Sequence, residues 1–136
     1  MQHAPSRRSV LQLTAAFSLF PLVPSLAALQ PRAFNIFFDF ESAALTPSAA
    51  ELADTLAREI LPSARVTIAG NADTAEARPD RIAYARGNEV LTFFLRKQSL
   101  MKVRFNVVSN GISKPLVSTG PNIKEPQNRR VEITIE

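Results

Sequence analysis

"FNIFFDFESAALTPSAAELADTLAREIL", residues Phe34 to Leu61, changes its hydrophobic period partway along. In the first seven residues, Phe34, Ile36, Phe38 and Phe40 fall at alternate positions, the repeat of a strand with one apolar face. Beyond Leu45 the repeat lengthens. Ala49, Leu52, Leu56 and Ile60 recur at helical spacing and predict a helix that buries one stripe. Local chemistry marks the switch: Thr46 suits an N-cap, Pro47 the first helical position and Glu51 the positive end of the dipole. Pro62 stops the helix. The stretch is a βα unit.

A second unit follows. "ARVTIAG" (Ala64–Gly70) puts Val66 and Ile68 on one side and Arg65 and Thr67 on the other, and Gly70 ends the strand. A loop over Asn71–Arg78 leads to a helix opening at Pro79 and running to about Lys97, with Ala83, Gly87, Val90, Leu91 and Phe94 as its stripe. Gly87 costs about 1 kcal/mol of helix propensity. Among larger residues it permits close approach to the sheet. "KVRFNVV" (Lys102–Val108) alternates Val103, Phe105 and Val107, and "RVEITIE" (Arg130–Glu136) alternates Val131, Ile133 and Ile135 with polar residues. Between them, "SNGISKPLVSTGPNIKEPQ" (Ser109–Gln127) reads as an irregular surface loop. All four strands alternate, whereas a parallel sheet covered on both faces gives continuous apolar runs. The expectation is an α+β fold: a two-layer β/α/β/α/β sandwich with both helices on one face of a mixed four-stranded sheet, its βαβ steps right-handed.

The chain has 136 residues, 46% apolar and 21% charged, which suits one domain with one core. It has no cysteine, which removes disulfides, thiolate nucleophiles and Cys-ligated zinc. "SRRSVLQ" (Ser6–Gln12) precedes the apolar run "LTAAFSLFPLVPSLAA", and Ser25-Leu26-Ala27 is a small-x-small cleavage site, the order of a secretory peptide. The Arg7–Arg8 pair resembles the twin-arginine export motif. A general secretory signal and an uncleaved anchor are the alternatives, although Pro21 and Pro24 interrupt the run. The expected division is therefore a signal over residues 1–27, a linker over 28–33 and a domain over 34–136. The one histidine, His3, lies in the signal, so the mature chain lacks imidazole bases, Ser-His-Asp triads and His-based metal sites. Removal of Arg7 and Arg8 takes the 16 Lys and Arg down to 14 against 12 acids, a net of +2. No nucleic-acid partner is expected from so small a charge; Arg96, Lys97, Lys102 and Arg104 read as a solvated surface.

"FFDFESAALTPSAAELADTLA", "VTIAGNAD", "IAYARGNEV" and "KPLVSTGPNIKEPQNRRVEITI" together resemble the OmpA-like domain, the peptidoglycan-associated module of OmpA-type porins, Pal lipoproteins and MotB proteins. The resemblance covers nearly all of Phe34 to Glu136. It implies a ligand, the diaminopimelate of peptidoglycan stem peptides, and a periplasmic or cell-envelope location. It assigns the ligand's ammonium to Asp73 and its carboxylate to Arg86, and one carboxylate with one planar guanidinium is the charge complement of a zwitterion. Helical side chains lean toward the N-terminus, so Arg86 should point at the loop after β2. Asn71, Ala72, Ala75, Pro79 and Arg129 are candidates for lining the site; Asp39 and Glu41 are rim residues. With Val131 inward, Arg129 should face the helix layer and Arg130 the wet face.

The departures are specific. Asn71 and Ala72 stand where the family has histidine and threonine before the aspartate. The loop lacks the usual glycine and is a couple of residues short, and the helix-start asparagine falls at Pro79 or Asp80. Without the flanking match, Asp73 reads as an Asx-turn or cap residue and Arg86 as a solvated helix arginine. Three functions compete: a non-catalytic module that holds peptidoglycan, a periplasmic adaptor that docks another envelope protein and has lost the ligand, and a wall-cleaving enzyme pairing Glu41 with Asp73 or Glu76. The first leads. It needs no cofactor and no metal.

Overall fold

The computed structural model describes residues 30–136; the expected signal, with its twin arginines, lies outside them. Among the described residues four strands and two α-helices follow in the order β1 (Arg32–Phe37), α1 (Pro47–Glu59), β2 (Arg65–Asn71), α2 (Pro79–Leu95), β3 (Arg104–Gly111) and β4 (Arg130–Ile135). The sheet order is β1-β4-β2-β3. β2 and β3 run parallel, and β4 is antiparallel to both β1 and β2, so the sheet is mixed as expected. β1 begins at Arg32, which gives Arg32 and Ala33 to the strand and not to the linker. It stops at Phe37, three residues before its alternation does. Phe38 still bonds across to β4, its N–H donating to Arg129 O at 2.8 Å.

The register follows the pleat. Phe38 is 3% exposed and Phe37 46%. Ile36, Val66, Ile68, Val131 and Ile133 present one face of the sheet to the helices and are fully buried. Thr46 caps α1 by accepting from Ala49 N at 3.2 Å. The buried stripe of α1 is Ala49, Ala53, Leu56 and Ala57, with Ile60 just beyond the helix. Leu52, expected inside, is 38% exposed: the small Ala53 takes the contact and lets α1 sit close. Of the expected α2 stripe, Leu91 is only partly buried, and Arg86 joins Ala83, Gly87, Val90 and Phe94 inside. Phe94 stacks on Phe105 with ring centroids 5.8 Å apart.

Two glycines set how near α2 lies. A Cβ on Gly70 would fall 1.8 Å from the Ala83 carbonyl oxygen, so β2 and α2 touch backbone to backbone there. A Cβ on Gly87 would meet Val107 at 3.0 Å, the close approach expected of it. This contact fixes the start of α2 over the C-terminal end of β2. The β1–α1 loop (residues 38–46), the β2–α2 loop (72–78) and the start of β4 are brought together at that end. Among the described residues no helix is long and apolar enough to cross a membrane.

Candidate functional site

Arg86 enters this junction from the second turn of α2 and, as expected, leans back toward the loop. It is fully buried. All five of its N–H groups are used. Nε donates to Ser42 O at 2.9 Å; Nη1 donates to Asn71 O at 3.1 Å and Glu76 Oε1 at 2.7 Å; Nη2 donates to Asp39 O at 3.0 Å and to Glu76 Oε2. The guanidinium also lies over the Phe38 ring, 5.6 Å from its centroid. Burying a guanidinium is tolerated only with a counter-charge and satisfied donors, and Glu76 completes both requirements. Sequence reasoning gave this carboxylate no partner in Arg86. The available signal was that a buried arginine needs an acid, and Glu76 is one of two acids, with Asp73, in the short loop preceding it.

Glu76 is as fully committed as the arginine. Besides Arg86, Oε1 accepts from Asp73 N at 3.1 Å and Oε2 from Glu41 N at 3.0 Å. Glu41 is held in the left-handed region, φ 54°, a conformation that costs a non-glycine residue about 1–2 kcal/mol. That turn aims its N–H at Glu76, while its own Oε1 accepts from Ala77 N at 2.6 Å. The two βα loops are thus clasped in both directions.

Asp73 is fully buried too. Its Oδ1 accepts from Ala75 N and Glu76 N, both at 3.0 Å, the Asx-type turn that its position after a strand suggests. Its Oδ2 accepts from Glu125 N at 3.1 Å and Arg129 Nη1 at 3.0 Å. Four acceptor positions are filled by four donors. Asp73 and Arg86 are brought into one network, then, but they meet through Glu76, and in this conformation neither has a polar group left over. The wall-cleaving pairing fares no better: Asp73 and Glu76 both serve as saturated acceptors. Among the described residues no group of His, Cys, Asp and Glu is placed to hold a metal.

The other candidates divide. Asn71 is buried; its side chain donates to Ala69 O at 3.0 Å and accepts from Asn110 Nδ2 at 3.2 Å, which ties β2 to the end of β3. Ala72 is buried and its N–H donates to Gly111 O. Ala75 supplies only its N–H to Asp73, and Pro79 is the first residue of α2. Thr74, which the sequence reading passed over, pins the long β3–β4 loop by donating to Gly120 O at 2.7 Å and accepting from Ile123 N at 3.0 Å.

Arg129 is the exception. Nε donates to Phe38 O at 3.1 Å and Nη1 to Asp73, and its guanidinium stands 5.9 Å from the Phe40 ring centroid. The remaining N–H groups have no partner among the described residues. It lines a cleft of about 430 Å³ whose walls include Phe38, Asp39, Thr46 and Gln127. The Asp39 carboxylate likewise has no partner among the described residues, so an open carboxylate and a partly free guanidinium share this cleft. Arg130 departs from expectation. It alternates away from Val131, yet it is 5% exposed, because residues near Lys114 cover that part of the sheet and Lys114 O accepts from Nη2 at 3.2 Å. Burial lowers its pKa from the ordinary arginine value.

Comparison with known proteins bears on family and fold. A model described as the OmpA family matches residues 37–129. An outer membrane protein of Gluconacetobacter diazotrophicus is 30% identical over 118 residues, a match covering 76% of this chain and 30% of that protein. The chain therefore spans less than a third of that relative's length. Among solved structures, the peptidoglycan-associated lipoprotein from Burkholderia pseudomallei superposes with a TM-score of 0.63 at 23% identity, over 75% of this chain and 89% of that one. The C-terminal domain of Helicobacter pylori MotB gives 0.62 at 18% identity, over 76% and 84%. At these identities the structural likeness speaks for the fold.

Proposed function

The chain belongs to the OmpA family, and from that premise we propose that it is a non-catalytic, exported module of the periplasm and cell envelope that binds peptidoglycan non-covalently through the diaminopimelate of the stem peptide. The observation that carries the reading is the open pair in the cleft. Arg129 has N–H groups to spare, and Asp39 is an unpaired carboxylate on the same cleft. Together they complement a zwitterion as the sequence reading required of Asp73 and Arg86. Asp73 holds Arg129 in place, and Arg86 holds the β1–α1 loop that carries Asp39. Direct contact of the ligand with Arg86 requires the Glu76 side chain to leave, and direct contact with Asp73 requires Arg129 or Glu125 to give way. A relative of this fold is described as a peptidoglycan-associated lipoprotein, which agrees with this reading.

One observation favours a second reading, the adaptor that has lost the ligand: Arg86 is already occupied by a carboxylate of its own chain. Co-sedimentation with purified sacculi separates the two. The wild type should pellet with diaminopimelate-type sacculi. Arg129→Ala should lose roughly tenfold or more in affinity, the worth of a hydrogen bond to a charged group. Failure of the wild type to pellet with any sacculus would leave the adaptor.

A further inference from the structure

The end of the sheet opposite the cleft has a composition of its own. β1, β2 and β3 all start there, and each starts on an arginine: Arg32, Arg65 and Arg104. α1 ends there beside Arg58, and the connection from α2 to β3 adds Arg96, Lys97 and Lys102. Three acids answer these seven bases. Glu59 pairs with Arg32, and Asp54 with both Arg58 and Lys97. Glu136 stands directly across from Arg65, bonded to it backbone to backbone. Arg65, Arg96, Lys102 and Arg104 are exposed and make no ion pair among the described residues. Seven bases against three acids leave this end at +4, whereas the 14 bases and 12 acids of residues 30–136 sum to +2. The positive charge is gathered here and the rest of the fold is net negative.

Two observations set this end apart from a plain solvated surface. Arg65 and Arg104 are direct partners in the parallel ladder, and like charges so placed destabilise a sheet. The three most exposed large apolar side chains among the described residues, Leu61, Leu95 and Met101, also lie here. Leu61 is in the α1–β2 connection, Leu95 adjoins Arg96 at the end of α2, and Met101 adjoins Lys102. A soluble polyanion is held by charge and has no use for exposed Leu and Met. An anionic bilayer presents phosphates with hydrocarbon just beneath them, and so accepts both. We propose that this end of the domain docks on anionic phospholipid headgroups, with Arg65, Arg96, Lys102 and Arg104 against the phosphates and Leu61, Leu95 and Met101 entering between them. β2 separates the two ends by about 20 Å, so the cleft faces away from the membrane on which this end rests. The inference does not depend on what the cleft holds.

Sedimentation of the purified full chain with phosphatidylglycerol vesicles and with phosphatidylcholine vesicles tests this. Only the difference between the two is read, so the chain before residue 30 cancels. The wild type should prefer phosphatidylglycerol, and added salt should erase the preference. Each basic residue near an anionic surface is worth about fivefold in affinity. Arg96→Gln with Lys102→Gln and Arg104→Gln should therefore weaken phosphatidylglycerol binding by on the order of a hundredfold. Arg78→Gln with Arg81→Gln and Lys114→Gln removes the same charge from the opposite end and should change it little. Leu95→Ser with Met101→Ser should weaken binding severalfold at unchanged charge. All these side chains are exposed, and Arg104→Gln alone, by relieving the repulsion of Arg65, should melt no lower than the wild type. Equal losses in the two Gln triples would reduce the effect to net charge, and full binding by the Leu95–Met101 variant would reduce it to polyanion binding. Either overturns the proposal, as does a wild type indifferent to lipid charge. The vesicles hold no peptidoglycan, so this assay and the sacculus assay fail separately.

Discussion

Arg86 is worth more to the structure than an ion pair. It satisfies three backbone carbonyls, that of Asn71 buried, as well as the Glu76 carboxylate. Removing one partner of a buried pair costs about 3–5 kcal/mol, mostly because the other charge is left unmatched. Pairing Glu76→Met with Arg86→Met would normally recover that loss. Here it should not recover in full, because the carbonyls of Ser42, Asn71 and Asp39 lose their donor, and the buried one, Asn71 O, costs about 1–3 kcal/mol when orphaned. Arg86→Met and the double variant should therefore both show a large fall in urea midpoint; recovery to near wild type in the double variant would contradict this accounting. The aspartate and the arginine were legible in the sequence because the flanking motifs located them. Their burial was not. Periodicity reports which face a residue is on, but Arg86 shares its face with Ala83 and Val90 only because a loop acid is folded over it, and that loop has no period to read.

At the level of the elements, the contact between β2 and α2 is the most exacting. The atom that blocks a side chain at Gly70 is the Ala83 carbonyl oxygen, which belongs to a helix and has no freedom to step aside. Gly70→Ala should cost about 1–3 kcal/mol or more from overpacking. Gly120→Ala, with nothing within 4 Å of the added methyl, should be close to neutral. Chemical denaturation of the two variants compares them. The helices are joined at their surface by Asp54 of α1 and Lys97 just past α2. The Lys97 hydrogen bond, opposed by partial desolvation and aided by the charges of Lys97 and Arg58, holds the Asp54 carboxyl below its usual range. A lowered folded-state pKa contributes stability that is complete above the unfolded carboxylate value near ~3.9 and is lost as pH falls through the folded one. Asp54→Asn should therefore be less stable than the wild type by a constant amount above about pH 6 and converge on it in acid, which flattens the acid limb; an unchanged acid limb would show that the contact contributes nothing. Sequence pattern placed every element. It missed that Ala53 replaces Leu52 in the core, since spacing of three or four residues fits both and close packing decides between them.

For the molecule as a whole, the alternation of four strands was enough to give an α+β sandwich with one helical layer. It could not give the order of the strands. Val131, Ile133 and Ile135 read like any half-buried strand, yet β4 is an interior strand, bonded to β1 on one side and β2 on the other. Inward alternation is the same at the centre of a sheet and at its edge. The same indifference hid Arg130, which the pattern assigns to the solvent side and which the β3–β4 loop buries. The site depends on this topology. Asp73 is joined to Glu125 and Arg129 across 52 and 56 residues of chain, so the cleft exists only when β4 is in place.

The position of β4 between β1 and β2 governs when this protein can fold. Among the described residues β1 pairs with no other strand, and its ladder runs from Arg32 against Ile135 to Phe37 against Arg130. A nascent chain that has reached only α2 carries Phe34, Ile36 and Phe38 with nothing to cover them as a sheet. Closing so long a loop is an entropic cost paid before any pairing returns it, and folds built on such distant contacts form slowly. Synthesis at about 5–20 residues per second takes several seconds to pass from β1 to β4. For that interval β1 stays without its partner: β2 and β3 can pair with each other, but the sheet is completed only when β4 arrives.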